Sequence, residues 1–314
     1  MPSATAERLF SLEAHGTTLG REVRAGMATF LTMSYILFVN PDILSKAIVV
    51  PHAFEQLLFT TAMASAIGCI VMGLVARYPF ATAPGMGLNA YFAFTVCGAQ
   101  GIPWQVALGA VFVEGVIFLG LSFGGIRQAI VNGIPRNLKN ASTAGIGLFL
   151  CLIGMRQAGF VVGSPATLVT LGHLADPRAL VAAATLLVTG ALLVRRVPGS
   201  ILLGILFGSL LSIATGAPVY KVGDGFGPFQ GLPGGSPIAT PVLPTHLFMA
   251  LDVKGAVSMG LLTIVFTFLF VEIFDTAGTL IGLADRGGYL DRDGNLPRAN
   301  EAFAADAIAT TVGA

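Results

Sequence analysis

Residues 255–283 read GAVSMGLLTIVFTFLFVEIFDTAGTLIGL, a run long and apolar enough to span a bilayer that still holds Glu272 and Asp275 near its middle. A carboxylate at bilayer depth costs roughly 2.5–3.5 kcal/mol on insertion scales. Two of them three residues apart persist only where they face protein, water or a ligand. On a helix, positions i, i+3, i+4 and i+7 are neighbours, so Glu272, Asp275, Thr276 and Thr279 share one face. Leu269, Phe270, Ile273, Phe274 and Leu280 cover most of the rest. The run therefore reads as a lipid-facing helix with one wet stripe.

Composition extends that reading to the whole chain. Of 314 residues, 54% are hydrophobic and only 11% charged, against about 25% charged in a soluble domain. The mean hydropathy of +0.82 agrees, and an all-α polytopic membrane protein is expected. The 40 glycines suit close helix packing in lipid. A net charge of +1 gives no footing for a nucleic-acid partner. Cys69, Cys97 and Cys151 lie in apolar segments without CxxC spacing, so buried thiols are expected rather than a metal site or disulfide framework. Residues 1–24 have no apolar h-region, and no cleaved signal peptide is expected.

Apolar runs fall at about 25–45, 55–77, 79–98, 103–124, 140–161, 178–195, 197–215 and 255–283, with a ninth beginning near 301. The ninth ends after EAFAADAIATTVGA, short of the roughly 20 residues a membrane helix needs, so the chain is expected to be a piece of a longer protein. With the N-terminus inside, 12 of the 17 basic residues fall on the cytoplasmic side, as the positive-inside rule asks.

The third run contains Pro79, Pro84, Gly85 and Gly87 in its first half, which forbids a continuous helix. An extended half followed by a short helix from near Met86 is expected. Irregular backbone at membrane depth is tolerated only where protein buries it or a cavity lies beside it, and such broken helices mark transporter sites. Asn89 with Ala90, Tyr91 and Phe92 then becomes a candidate binding element, against the plainer reading of a packing kink. The first run breaks as well, at Asn40-Pro41-Asp42.

Other polar residues divide more evenly. Glu272 and Asp275 read either as capping or salt-bridged carboxylates or as a functional pair. Their mutual repulsion would be relieved by a shared proton, which suits proton coupling. Glu114 in AVFVEGVIF is either a structural hydrogen-bonding group or a coupling residue, and Asp306 is placed to sit beside the 272–279 stripe. Asp291-Arg292-Asp293-Gly294-Asn295 lacks the glycine and glutamate positions of a calcium loop and reads as a polar turn. No HExxH, GxSxG or P-loop pattern occurs, so neither an enzyme nor an ATPase is expected, and no cofactor is called for.

Four blocks carry a resemblance: His15-Gly16-Thr17-Thr18 with Arg21-Glu22 and Ala25-Gly26; TFLTMSYILFVNP (29–41); ATAPGMGLNAYFAF (81–94); and FVEIFDTAGTLIGLADRGG (270–288). Together they resemble the xanthine/uracil permease family of nucleobase–cation symporters, in its hypoxanthine/guanine/adenine (AzgA-like) branch, over the whole chain. The resemblance implies two inverted repeats of seven segments, about nine of the 14 being present here, with a short strand in the broken third segment. It implies core regions at 1–125 (spans 1–4) and 255–314 (spans 8 and 9), and a gate region at 126–254 (spans 5–7 and an outer loop). A homodimer through the gate helices is implied as well.

The family's eighth helix carries an acid, two residues, a glycine and a polar residue, which Asp275-Thr276-Ala277-Gly278-Thr279 matches. The resemblance thus implies Asp275 as the principal acceptor for ring N–H groups of a purine base, with Glu272 second. The backbone near Asn89–Phe92 would meet the other edge of the base, Phe92 or Tyr91 its face, and Thr29 and Thr32 would line the same cavity. Asp275, Glu272, Asp306 and Glu114 are the candidate proton carriers, with sodium left open. The expected activity is proton-coupled, elevator-like purine uptake across the cytoplasmic membrane, for which 314 residues alone are not expected to suffice. The rivals are a uracil or xanthine carrier, or an anion carrier of sulfate/bicarbonate type on the same fold, a channel, and a non-transporting binding protein. A carboxylate pair argues against an anion.

Overall fold

The computed structural model describes residues 10, 12, 17–122, 136–197, 199–216, 241–291 and 296–314. The His15-Gly16 block and most of the Asp291–Asn295 turn lie outside the described residues. The chain divides into two compact units, one of residues 1–144 with 242–314 and one of residues 145–241.

In the larger unit, Thr18 opens helix α1 (Leu19–Met33) by accepting from the Arg21 N–H. A turn at Ser34–Tyr35 leads into α2 (Ile36–Leu44), which contains Pro41. α3 (Ala53–Val71) continues as a wider π-type helix over Met72–Ala76, and Arg77 ends it at φ +61°. The chain then runs extended to Gly85, forms the short α4 (Met86–Ala90), and widens again over Tyr91–Ala99. α5 (Trp104–Ser122) follows.

In the smaller unit lie most of α6 (Arg136–Gln157), a hairpin of β1 (Val161–Ser164) with β2 (Leu168–Leu171), and helices α7 (Pro177–Val194) and α8 (Ser200–Thr215). The hairpin is antiparallel, with Val161 opposite Leu171. α7 starts with the favoured pairing of Asp176 as cap and Pro177 in the first turn. Back in the larger unit come α9 (Val253–Ser258), α10 (Leu262–Gly287) and α11 (Ala299–Gly313).

Among the described residues, five helices are long and apolar enough to cross a membrane: Leu19–Leu44, Ala53–Ala76, Trp104–Leu121, Pro177–Val194 and Leu262–Asp285. Met86–Ala99, Gly147–Gln157 and Ser200–Thr215 are shorter apolar helices. Leu186, Leu187, Val194, Leu262 and Phe266 each stand more than half exposed, the arrangement of helices whose outer faces meet lipid. The chain is an all-α polytopic membrane protein, with the hairpin as its strands among the described residues.

The structure corrects the sequence reading in three places. The 255–283 run is two helices, because the chain turns at Gly260 with φ +64°, a conformation glycine adopts without steric cost. Cys151 is exposed rather than buried among the described residues.

The third correction concerns the broken third segment, which is extended as expected but forms no ladder among the described residues. Side chains from other helices take its backbone groups instead. Thr29 Oγ1 accepts from the Ala81 N–H at 3.2 Å, and its one hydroxyl hydrogen, given to the Gly26 carbonyl at 2.9 Å, is shared with the Pro79 carbonyl at 3.3 Å. Cys69 Sγ accepts from the Thr82 N–H at 3.3 Å and donates to the Thr82 carbonyl at 3.5 Å.

α11 packs against α3 and α5 with small residues: Ala302, Ala305 and Ala307 are fully buried. A β-carbon at Gly115 of α5 would lie 2.6 Å from Thr311 Oγ1 and 3.2 Å from its Cα, so the two backbones touch only because residue 115 has no side chain. The far ends of these helices are tied by rings. Tyr78 stacks on Phe80 at 5.1 Å, and Tyr289 meets both edge-on at 5.5 and 5.4 Å. The Tyr78 hydroxyl donates to the Pro297 carbonyl, and Arg298 Nη2 donates to the Val75 carbonyl at 2.7 Å. Burial, with the Glu22 carboxylate beside it, pushes the Tyr289 phenol above its usual range, so it stays a neutral donor at physiological pH.

Replacing Gly115 by Leu is expected to lower the thermal midpoint of the full-length protein in detergent by several degrees, for a loss of about 1–3 kcal/mol. Gly120→Leu, where a β-carbon meets nothing within 4 Å, should leave the midpoint in place.

Candidate functional site

Inside the larger unit the elements enclose a cavity of about 170 Å³, room for on the order of ten waters and so for a bicyclic base. Its walls come from α2 and α3, from the extended stretch Thr82–Gly85, and from α4, α5, α10 and α11. Glu114, Glu272 and Asp306 bring three carboxyl groups to it, and Asn40 and Asn89 two amides. Thr60, Thr61, Thr82 and Thr310 add hydroxyls, and Phe92 and Phe268 add rings. Leu247, from the turn before α9, also lines it, and that turn is clamped where Gln56 Oε1 accepts from the His246 N–H at 3.1 Å.

The carboxyl groups are held by their neighbours. Thr310 Oγ1 donates to Glu272 Oε1 at 3.0 Å, and Thr276 Oγ1 donates to Asp306 Oδ2 at 2.5 Å. Two crossed hydroxyl–carboxylate bonds thus join α10 to α11. Asp275 turns the other way: a β-carbon at Gly85 would sit 3.0 Å from Asp275 Oδ2, so the carboxylate lies against the start of α4. Glycine at 85 leaves that approach open.

The amides form a row. Asn89 Nδ2 donates to Asn40 Oδ1, and Asn40 Nδ2 donates to Thr61 Oγ1 at 2.9 Å. Pro41 offers no N–H to the α2 ladder, and the Asn40 side chain just before it reaches across to α3 and α4.

Of the residues picked from sequence, Glu272, Asp306, Glu114, Asn89 and Phe92 come together around this cavity. Asp275 and Thr276 flank it through Gly85 and Asp306. Ala90 is fully buried behind α4, and the Tyr91 ring meets Phe268 edge-on at 5.5 Å, one layer behind the lining. Thr279 is exposed and donates to the Asp275 carbonyl at 2.8 Å within its own helix. Thr29 serves the extended segment, and Thr32 donates to the Thr29 carbonyl at 2.8 Å, so neither lines the cavity. Sequence reasoning passed over Asn40, Thr61 and Thr310. The Asp306–Thr310 spacing of four, one helical turn, was the available signal for the last.

A sequence profile of the Permease family matches residues 20–314. The chain belongs to the xanthine/uracil permease family. It is 48% identical over 307 residues to a putative permease of Methanocaldococcus jannaschii, covering 98% of this chain and 67% of the relative. It is 42% identical over 308 residues to the guanine/hypoxanthine permease PbuO of Bacillus subtilis, covering 98% and 68%. With the adenine permease AdeP of Escherichia coli the identity is 38% over 307 residues, covering 98% and 65%. The chain spans about two thirds of the length of these relatives. As a member of this permease family it is a membrane permease and not an enzyme, and its cavity is read below in those terms.

Thr29→Val should remove both bonds to the extended segment and lower the stability of the full-length protein by about 1–3 kcal/mol, seen as a lower thermal midpoint. Thr29→Ser keeps the hydroxyl and should restore it.

Proposed function

We propose that the full-length protein carries purine bases (hypoxanthine, guanine or adenine) into the cell across the cytoplasmic membrane, with a proton as the coupled ion. The observation that carries this reading is the cavity at the broken third segment, where carboxyl groups, an amide and a phenylalanine ring converge. A purine offers N–H donors, ring-nitrogen acceptors and two π-faces, which such a lining matches. An anion would add charge to a cavity already holding Glu114, Glu272 and Asp306. The purine class is supported by relatives named guanine/hypoxanthine and adenine permeases.

In this proposal Asp275 accepts from ring N–H groups beside Gly85, with Glu272 as the second acceptor and Asn89 and Phe92 at the other edge and face. Glu272, Asp306 and Glu114 hold the coupled proton. The regions 1–125 and 255–314 form the substrate-carrying core, and 126–254 the gate against which it moves in an elevator-like step. Gate helices pair two copies, and the N-terminus is cytoplasmic. The Arg and Lys distribution supports that orientation.

The test is radiolabelled hypoxanthine uptake in cells expressing the full-length gene, at two external pH values and with a protonophore. Uptake should rise as external pH falls and collapse with the protonophore. Asp275→Asn should abolish it while membrane abundance is unchanged; normal uptake by that variant would sink the Asp275 role.

A further inference from the structure

Asn40 is 2% exposed and Thr61 3%, so the bonds the protein supplies fix how each side chain is turned. An amide nitrogen only donates and an amide oxygen only accepts. Along the row, each bond therefore dictates the next. Asn40 Nδ2 is committed to Thr61 Oγ1 at 2.9 Å, which leaves the Asn40 oxygen for Asn89, and only the Asn89 nitrogen fits against an oxygen. Asn89 lines the cavity, and its oxygen, at the opposite end of the amide from the nitrogen bonded to Asn40, is an acceptor for a ligand, beside the second N–H of that nitrogen. A threonine hydroxyl can accept or donate. If Thr61 donated instead, the row would reverse and Asn89 would offer N–H groups.

From this row we infer that Asn40 and Thr61 are positioning residues that set which end of Asn89 meets the ligand, so that the cavity offers an acceptor to an N–H of the bound base. The inference rests on the purine reading above and adds a selectivity mechanism to it. Neither side chain needs to touch the base. Asn40→Leu ends the row and frees Asn89 to rotate. Asn40→Asp keeps an acceptor facing Asn89 and preserves its polarity. Thr61→Val removes the acceptor that fixes Asn40, and Thr61→Ser retains it.

The experiment measures competition against hypoxanthine uptake by the full-length protein, using hypoxanthine and its deaza analogues. Each analogue replaces one ring nitrogen by C–H with little change of shape. In the wild type, the analogue lacking the N–H that faces Asn89 should compete about tenfold more weakly than hypoxanthine. Asn40→Leu and Thr61→Val should bring that ratio to within about twofold, the loss expected when the discriminating hydrogen bond goes. Asn40→Asp and Thr61→Ser should keep it.

If the first two variants weaken all competitors alike with the ratio preserved, the row is merely structural and the inference is overturned. The same holds if the wild type transports hypoxanthine but discriminates among none of the analogues. Absence of purine uptake by the well-inserted wild type would overturn the purine reading, and this inference with it. Should Asn40→Leu fail to reach the membrane, the Thr61→Val and Thr61→Ser pair decides.

Discussion

A peptide group in hydrocarbon has no water to bond, so every N–H and C=O at membrane depth must find a partner in the protein. The stretch from Tyr78 to Gly85 places that demand on the fold most sharply, because its prolines and glycines exclude a helix and its neighbours supply no strand among the described residues. Thr29 from α1 and Cys69 from α3 meet part of it, at Pro79, Ala81 and Thr82. Holding both helices against one short stretch fixes where α4 starts. That start, Gly85, is where Asp275 arrives from α10. The cavity is thus a consequence of how a few backbone groups are satisfied.

The polar side chains around it form two separate systems. The amide row of Asn89, Asn40 and Thr61 ties α4 to α2 and α3. The hydroxyl–carboxylate pairs tie α10 to α11. Apolar surface from Leu57, Leu108, Val111 and Phe268 lines the same cavity, and the low-dielectric surroundings strengthen each polar interaction. No lysine or arginine is among the described residues lining it. Three carboxyl groups about one cavity repel one another when ionised, and what relieves that repulsion is a proton or a donor-rich neutral ligand, which is what the proposed function brings.

Much of this was legible in the sequence, for identifiable reasons. Pro79, Pro84, Gly85 and Gly87 announce a broken span because proline and glycine act on their own backbone. Glu272 and Asp275 announce a wet stripe because a carboxylate in an apolar run is costly wherever it goes. What escaped depends on partners far away in the chain. Thr29 looks like a cavity residue until Pro79 and Ala81 are seen beside it. Asn40 looks like the polar end of a span until Thr61 and Asn89 are in place. The turn at Gly260 was hidden because glycine inside an apolar run reads equally well as a packing residue, and only the backbone shows φ +64°.

The two carboxylates that first drew notice illustrate how adjacent positions on one helix come to differ. Glu272 is 7% exposed and bonded to Thr310 of α11, while Asp275, three residues on, is half-buried and aimed at Gly85 of the α3–α4 segment. Thr276, one turn beyond Glu272 on the helix, bonds to Asp306 and so belongs with Glu272. A displacement of α4 relative to α10 would change the surroundings of Asp275 first, whereas Glu272 would follow α11. If a base docks at α4, the carboxylate beside it registers the docking directly, and the one bonded to α11 registers it only through the cavity they share. A substrate group and a proton group separated in this way, yet close enough for their charges to interact, can bind their two ligands in a coupled manner without competing for one site.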